Sequence, residues 1–352
     1  MGSCCSCQVS IVDKVHDVEN NECNTKNIES TCENDEAKIM LRGSSKCISM
    51  YSQKGTKGVN QDAITVWENF GGEKDVIFCG VLDGHGPIGH KFSTYIRDNL
   101  PSKLSTTMKM SQQNVSIDNS SNASKKSTNG NSWEEQFFSS FNDMDQDLAK
   151  NIDREGFSGG STAITLIKKG DQLIIGNLGD SRAVLCTKAN DNNRVPIQLT
   201  VDLVPDVPSE ANRVMKCGGR VFPAQEDPEV NRIWLPEGDC PGLAMTRAFG
   251  DFCLKKYGLS SVPEVFYRKI LKEDEFVVMA TDGIWNVLSN NEVITLVALA
   301  PKRSLAAKLI VRRAVQVWKQ KFPSYHIDDC SAICLFFDED QSVSVRGKKR
   351  HC

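Results

Sequence analysis

Three aspartates stand where apolar stretches stop or start. DVIFCGVLDGHG runs into Asp83-Gly84, EFVVMATDGIW runs into Asp282-Gly283, and SAICLFF begins just after Asp328-Asp329. Asp62, in GVNQDA, adds a fourth carboxylate. A carboxylate at a strand end sits where a sheet meets solvent, and a neighbouring glycine lets the backbone approach a ligand closely. Several such carboxylates repel one another unless cations lie between them. Singly, each Asp-Gly is an ordinary turn dipeptide. Two of them after apolar strands, with Asp62 besides, make a convergent oxygen site the better reading. An all-oxygen donor set without a Cys/His spacing pattern suits Mg²⁺ or Mn²⁺ rather than structural zinc. Spacing alone leaves the metal and the reaction open.

The elements that must position these residues are legible in outline. β-branched and apolar runs bounded by Gly and Asp turns predict strands at 76–82, 162–168, 172–178, 182–186, 276–280 and 332–337. Helical spacing predicts helices at 89–100, 133–151, 209–216, 291–300 and 304–320. Short hairpin-like strand pairs with clustered helices imply an α+β layered domain. Residues 1–40 are polar and acidic and read as a disordered tail. The catalytic domain is drawn at 41–340, interrupted by a Ser/Asn/Lys-rich stretch, 102–132, read as a mobile surface insertion. Residues 341–352 form a short basic tail.

Composition excludes several classes. Lys+Arg 42 against Asp+Glu 45 gives a net charge of -3, so nucleic-acid binding is not indicated. The 14 cysteines form no disulfide framework, and the start MGSCCSCQVS lacks a secretory leader, which predicts reduced thiols in the cytosol. No apolar stretch is long enough to span a bilayer. An HCxxxxxR segment, the mark of a cysteine-based phosphatase, is missing from the interior.

KGVNQD, VLDGHGPIGH, GGSTA, NLGDSRAVL, LTVDLVPD, CGGRV, LAMTRAFGDF, VMATDGIWNVLS and HIDDCSA follow one another between about residues 48 and 338. In that order the chain resembles the protein phosphatase 2C family, the metal-dependent serine/threonine protein phosphatases, and its plant branch in particular. The resemblance implies a sandwich of two antiparallel β-sheets flanked by α-helices, with a binuclear metal site at one end. It implies that Asp83 bridges two Mg²⁺ or Mn²⁺ ions, that the Gly84 carbonyl binds one, and that Asp282 and Asp328 hold the other. Asp62 acts through water or directly; Gln61 replaces the acid that usually precedes it. The implied reaction is hydrolysis of phosphoserine or phosphothreonine in phosphoprotein substrates by a hydroxide between the two ions, with His85 protonating the leaving oxygen. Lys57 falls where many members carry a phosphate-binding Arg and supplies charge without the bidentate fork. Asp180 and Asp251 are read as supporting residues and Arg247 as a structural ion pair. Asn286 stands where the family often has an Asp of a third metal site, so that site is not expected in its usual form. The chain is expected to act as a monomer. The competing expectation is an inactive pseudophosphatase serving as a membrane-tethered regulator, supported only by Lys57 and Asn286.

MGSCCS fits N-myristoylation at Gly2, with Ser6 at the preferred position. One myristoyl chain binds membranes only marginally, so Cys4 and Cys5 are read as palmitoylation sites supplying the second anchor. The expected location is the cytoplasmic face of a membrane, the plasma membrane in particular, and the cytosol. The basic end RGKKRHC leaves the nucleus as a further option.

Overall fold

The computed structural model describes residues 29–31, 37–118, 132–152, 159–225, 227–238, 240–324 and 326–337. Two antiparallel sheets lie face to face. The first contains, in order, β1 (Glu29–Thr31), β2 (Lys38–Met40), β5 (Asp62–Glu68), β6 (Ile77–His85), β8 (Ala163–Lys169), β9 (Gln172–Leu178) and β15 (Glu264–Lys269). Two short strands, β7 (Gly160–Ser161) and β14 (Phe249–Gly250), join its end at β6. The second sheet runs β11 (Arg194–Gln198), β10 (Arg182–Lys188), β16 (Asp274–Ala280), β17 (Cys330–Phe336), β4 (Ile48–Gln53) and β3 (Gly43–Ser44). A separate hairpin is formed by β12 (Arg220–Ala224) and β13 (Asp227–Trp234).

Side-chain alternation decides what each sheet face meets. Inward-facing Ile64, Val66, Val81, Ile164, Ile175, Val277, Met279 and Ile333 fill the space between the sheets. Opposite faces of the same strands bury Phe78, Leu82 and Ile167 under α1 (Gly89–Asp118) and α2 (Trp133–Asn151). On the second sheet Val278, Ala280, Ala332 and Cys334 lie under α5 (Asp282–Trp285), α6 (Asn290–Ala298) and α7 (Ala306–Lys321). The two remaining helices, α3 (Pro208–Lys216) and α4 (Phe252–Lys255), share a smaller core around Val214, Leu254 and Leu259.

All six predicted strands are present, and α2 coincides with its predicted span. Two boundaries differ. The tail was drawn through residue 40, yet β2 pairs with β5 and buries Ile39 and Met40. The insertion was drawn from residue 102, yet α1 continues through Asp118, and Leu104 and Met108 are core residues. The cause is spacing: Phe92, Ile96, Leu100, Leu104 and Met108 recur every four residues, so one helical face stays apolar beneath a polar composition. Residues 119–131 and 341–352 lie outside the described residues, as do Gly2, Cys4 and Cys5. None of the eight described cysteines, Cys47 to Cys334, is in a disulfide.

Candidate active site

Asp62 opens β5 and lies directly opposite Asp83 near the end of β6 in the antiparallel register. Their neighbours Ala63 and Leu82 are buried under the helices, so period-two alternation turns both carboxylates to the face that meets the second sheet. Asp282 starts the single turn of α5, which directly follows β16. That turn is fixed from inside: Trp285 Nε1 donates to Ala280 O (2.8 Å) and Trp318 Nε1 donates to Gly283 O (2.7 Å). Asp328 precedes β17 by two residues. Asp83, Asp282 and Asp328, with Gly84, His85 and Lys57, line one cleft of about 740 Å³; Asp62 is paired with Asp83 beside it. The structure thus brings the predicted site residues of the domain to one end of the fold.

Backbone proximity explains Gly84. A Cβ there would collide with Gly89 O and Gln61 O, and the Gly84 N–H donates to Gln61 O (3.1 Å). Only a residue without a side chain lets these three segments meet.

The acidic set is under electrostatic load. Burial pushes the pKa of Asp62, Asp83 and Asp282 upwards, and neighbouring carboxylates add to it. Asp180, on the cleft wall, is pushed up to about 7 by burial and then by Asp282 and Asp202. Thr281 Oγ1 donates to Asp62 Oδ2 (3.0 Å), while Asp62 Oδ1 is buried without a hydrogen-bond partner. Lys57 Nζ lies 2.5 Å from Asp328 Oδ2, and Asn286 Nδ2 donates to Asp282 Oδ2 (3.0 Å). Burial would lower the pKa of Lys57; Asp328 outweighs it and raises the net value. With these donors in place, no group of three His, Cys, Asp or Glu side chains among the described residues is arranged to hold an ion as the side chains stand. The set nonetheless fits divalent cations on three counts. The donors are all oxygens, their charges are mutually destabilising, and one buried oxygen is unpartnered.

His85 is placed by a different device. Its Nε2 is 2.5 Å from Asp251 Oδ2, and Nδ1 is buried with no partner. Burial opposes charge on the ring, but Asp251 outweighs it, and the imidazole pKa ends above its ordinary value. Asp251 sits in the left-handed region at φ 47. Gly160 makes the room: a Cβ there would strike Phe249 O, Asp251 Oδ2 and His85 Nε2.

Three residues with site roles escaped the sequence reading. Asp329 accepts from Gly55 N (2.7 Å) through Oδ1 and from Gln61 N (2.7 Å) through Oδ2, pinning the loop that carries Lys57. Thr281 positions Asp62. Asp145 on α2 accepts from Gly250 N (2.9 Å), next to Asp251, and pairs with Lys255 (2.9 Å). The only sequence signal for Asp329 was its place beside Asp328 ahead of an apolar strand. Arg247, read as a structural ion pair, bonds Glu210 and Glu264.

The protein phosphatase 2C family model matches residues 49–319. Probable protein phosphatase 2C 65 of Arabidopsis thaliana is 48% identical over 340 residues, covering 96% of this chain and 88% of that relative. Probable protein phosphatase 2C 66 of Oryza sativa subsp. japonica is 46% identical, covering 88% of this chain and 63% of its own longer sequence. Among solved structures, serine-threonine phosphatase 2C from Toxoplasma gondii superposes with a TM-score of 0.73 at 22% identity, over 86% of this chain and 99% of that one. Sandwich, acidic cleft and relatives together define the class of metal-dependent serine/threonine protein phosphatases. The chain belongs to the protein phosphatase 2C family.

Proposed function

We propose that this cleft hydrolyses phosphoserine and phosphothreonine in protein substrates with two Mg²⁺ or Mn²⁺ ions. The observation that carries the reading is the convergence of Asp83, Asp282 and Asp328 on one cleft, backed by a buried Asp62 with an unpartnered oxygen. Asp62, Asp83, the Gly84 carbonyl, Asp282 and Asp328 would hold the ions. When bound, such ions make water nucleophilic near neutral pH and offset phosphoryl charge. Lys57, on the loop pinned by Asp329, draws the substrate phosphate into the cleft as a point charge. His85, biased towards its charged form by Asp251, would supply the proton to the departing Ser or Thr oxygen. No covalent enzyme intermediate is required. Every carboxylate of the acidic set is present, which favours the enzyme over an inactive regulator resting on Lys57 and Asn286 alone.

The test is hydrolysis of a phosphothreonine peptide with Mn²⁺ or Mg²⁺ by wild type and Asp83→Asn. Equal rates, or no rate in wild type, would sink the proposal. We also propose acylation at Gly2 with Cys4 or Cys5 as the second anchor, placing the enzyme at the cytoplasmic face of a membrane. Gly2→Ala is expected to move the protein from the membrane to the soluble fraction of a cell extract. Unchanged fractionation refutes the anchor.

A further inference from the structure

The helical layer over the second sheet carries a charge imbalance that the reaction does not use. Between Glu292 and Asp328 the chain has no Asp or Glu. The same stretch contains Lys302, Lys308, Arg312, Arg313, Lys319 and Lys321, none of which forms an ion pair among the described residues. Lys308 Nζ lies over the Tyr51 ring, 5.8 Å from its centroid, and Lys321 Nζ donates to Val287 O (3.4 Å). Glu292, the nearest preceding acid, senses Lys321 and Arg313 only behind its own bonds to Ser289.

α7 sorts these charges by burial. Ala306, Ala307, Ile310, Val311, Ala314 and Val317 are buried against β4 and β17. Arg313, Lys319 and Lys321 are exposed, and Lys308 and Arg312 half-buried, so the outward side is basic. Two large apolar side chains of the stretch are exposed: Leu299 at the end of α6 (59%) and Phe322 just after α7 (37%), where its ring packs on Trp318. The apolar face of α7 is spent on the core, so what the helix presents outward is positive charge. No described helix is long and apolar enough to span a membrane.

We propose that the outward side of α7 docks on an anionic lipid surface. Charge complementarity selects the lipid: an uninterrupted positive field needs no matched partner geometry, and Leu299 and Phe322 supply the shallow apolar insertion that an acidic protein would not require. Ser44 Oγ and Ser49 Oγ both donate to Ser304 O (3.2 and 3.0 Å), which ties β3 and β4 to the segment leading into α7.

The experiment uses the full chain without acylation, sedimented with phosphatidylcholine vesicles with and without about 30 mol % phosphatidylserine. Wild type is expected to bind only the anionic vesicles, and less so as salt rises. Arg312→Glu with Arg313→Glu and Lys319→Glu is expected to weaken that binding at least about tenfold. Its melting temperature and its turnover of p-nitrophenyl phosphate are expected to stay at wild-type values, which separates lost docking from lost folding. A chain truncated before residue 341 is expected to bind like wild type. The proposal is overturned if wild type ignores phosphatidylserine, if the triple variant keeps its binding, or if the truncation alone abolishes it. It is also overturned if an immobilised polyglutamate peptide captures wild type while vesicles do not, which would assign α7 to an acidic protein.

Discussion

The Nε2 atom of His85 lies 2.5 Å from Asp251 Oδ2, across a gap that exists only because residue 160 is glycine. One ring nitrogen is thereby committed to a carboxylate, and the ring is biased towards its charged form. Asp251→Asn keeps the shape and removes the charge. Turnover of a phosphothreonine peptide is expected to fall about 10- to 100-fold, because an alkoxide leaves poorly without a proton. p-Nitrophenyl phosphate, whose phenolate needs none, is expected to fall much less. Equal losses on both substrates would assign Asp251 a purely structural role.

Asp145 extends this arrangement by one step. It holds Gly250 N and neutralises Lys255, whose pKa is lowered by burial despite this partner. Asp145→Leu strands a largely buried ammonium and frees the segment preceding Asp251, at an expected cost of about 2–3 kcal/mol. In a double-mutant cycle on the phosphopeptide, its effect on kcat is expected to shrink when His85 is already Gln. Strict additivity would show that the two residues act separately.

Lys57 stands 53% exposed beside Asp328. Its contribution to phosphate binding is that of a screened point charge, so Lys57→Ala is expected to raise KM by about fivefold with kcat little changed. Lys57→Arg is expected to lower KM below wild type, since the guanidinium fork grips two phosphate oxygens. A fall in kcat with constant KM would contradict this role.

The acidic set makes stability depend on metal and pH together. Asp62, Asp83 and Asp282 have folded pKa values above the unfolded 3.8, and Asp180 reaches about 7. Groups shifted in this direction stabilise the fold below their unfolded pKa, and that contribution is lost as pH rises through the folded value. The chelated protein is therefore expected to melt at progressively lower temperature from about pH 5 to pH 8. A divalent cation at 100 times its Kd adds about 2.7 kcal/mol and flattens that slope. Calorimetry with chelator and with Mn²⁺ measures both; a pH-independent melting temperature in chelator would refute the account.

Glu210 presents the opposite sign. Its side chain is 3% exposed and bonds Arg213, Arg247 and Thr246, which together outweigh burial and hold its pKa at about 2. This contribution is complete above the unfolded value of 4.5 and fades as pH falls towards 2. Glu210→Gln, which leaves two arginines short of a charge, is expected to cost about 3 kcal/mol in urea unfolding at pH 7, with a much smaller loss near pH 3.

What the sequence disclosed followed physical rules that act locally. α2 was legible because Ser132 caps it and Phe137, Phe141, Met144 and Leu148 repeat at helical spacing. The six strands were legible from apolar runs closed by Asp or Gly turns. The second half of α1 was hidden because its Ser, Thr and Lys content outweighed the four-residue apolar spacing. The hairpin of β12 and β13 was hidden because its residues are mostly half-buried and show no clean alternation. The carboxylates of the cleft were found through their position at strand ends. Asp329, Thr281 and Asp145 were not, because each acts through a backbone amide or a side chain distant in sequence, and chain order gives no sign of such a partner.

The register between β5 and β6 has a consequence for chain length. Asp62 faces Asp83 at one end of this hairpin, and its turn lies at the other, beyond Phe70. Inserting a single residue between Asp62 and Glu68 would exchange the Asp62 carboxylate for an apolar neighbour, because side chains alternate. The same insertion among residues 71–75 leaves every pairing intact. Length variation in this hairpin is therefore permitted at the turn and forbidden near the cleft, so a designer wishing to graft a loop or reporter peptide here has one safe end.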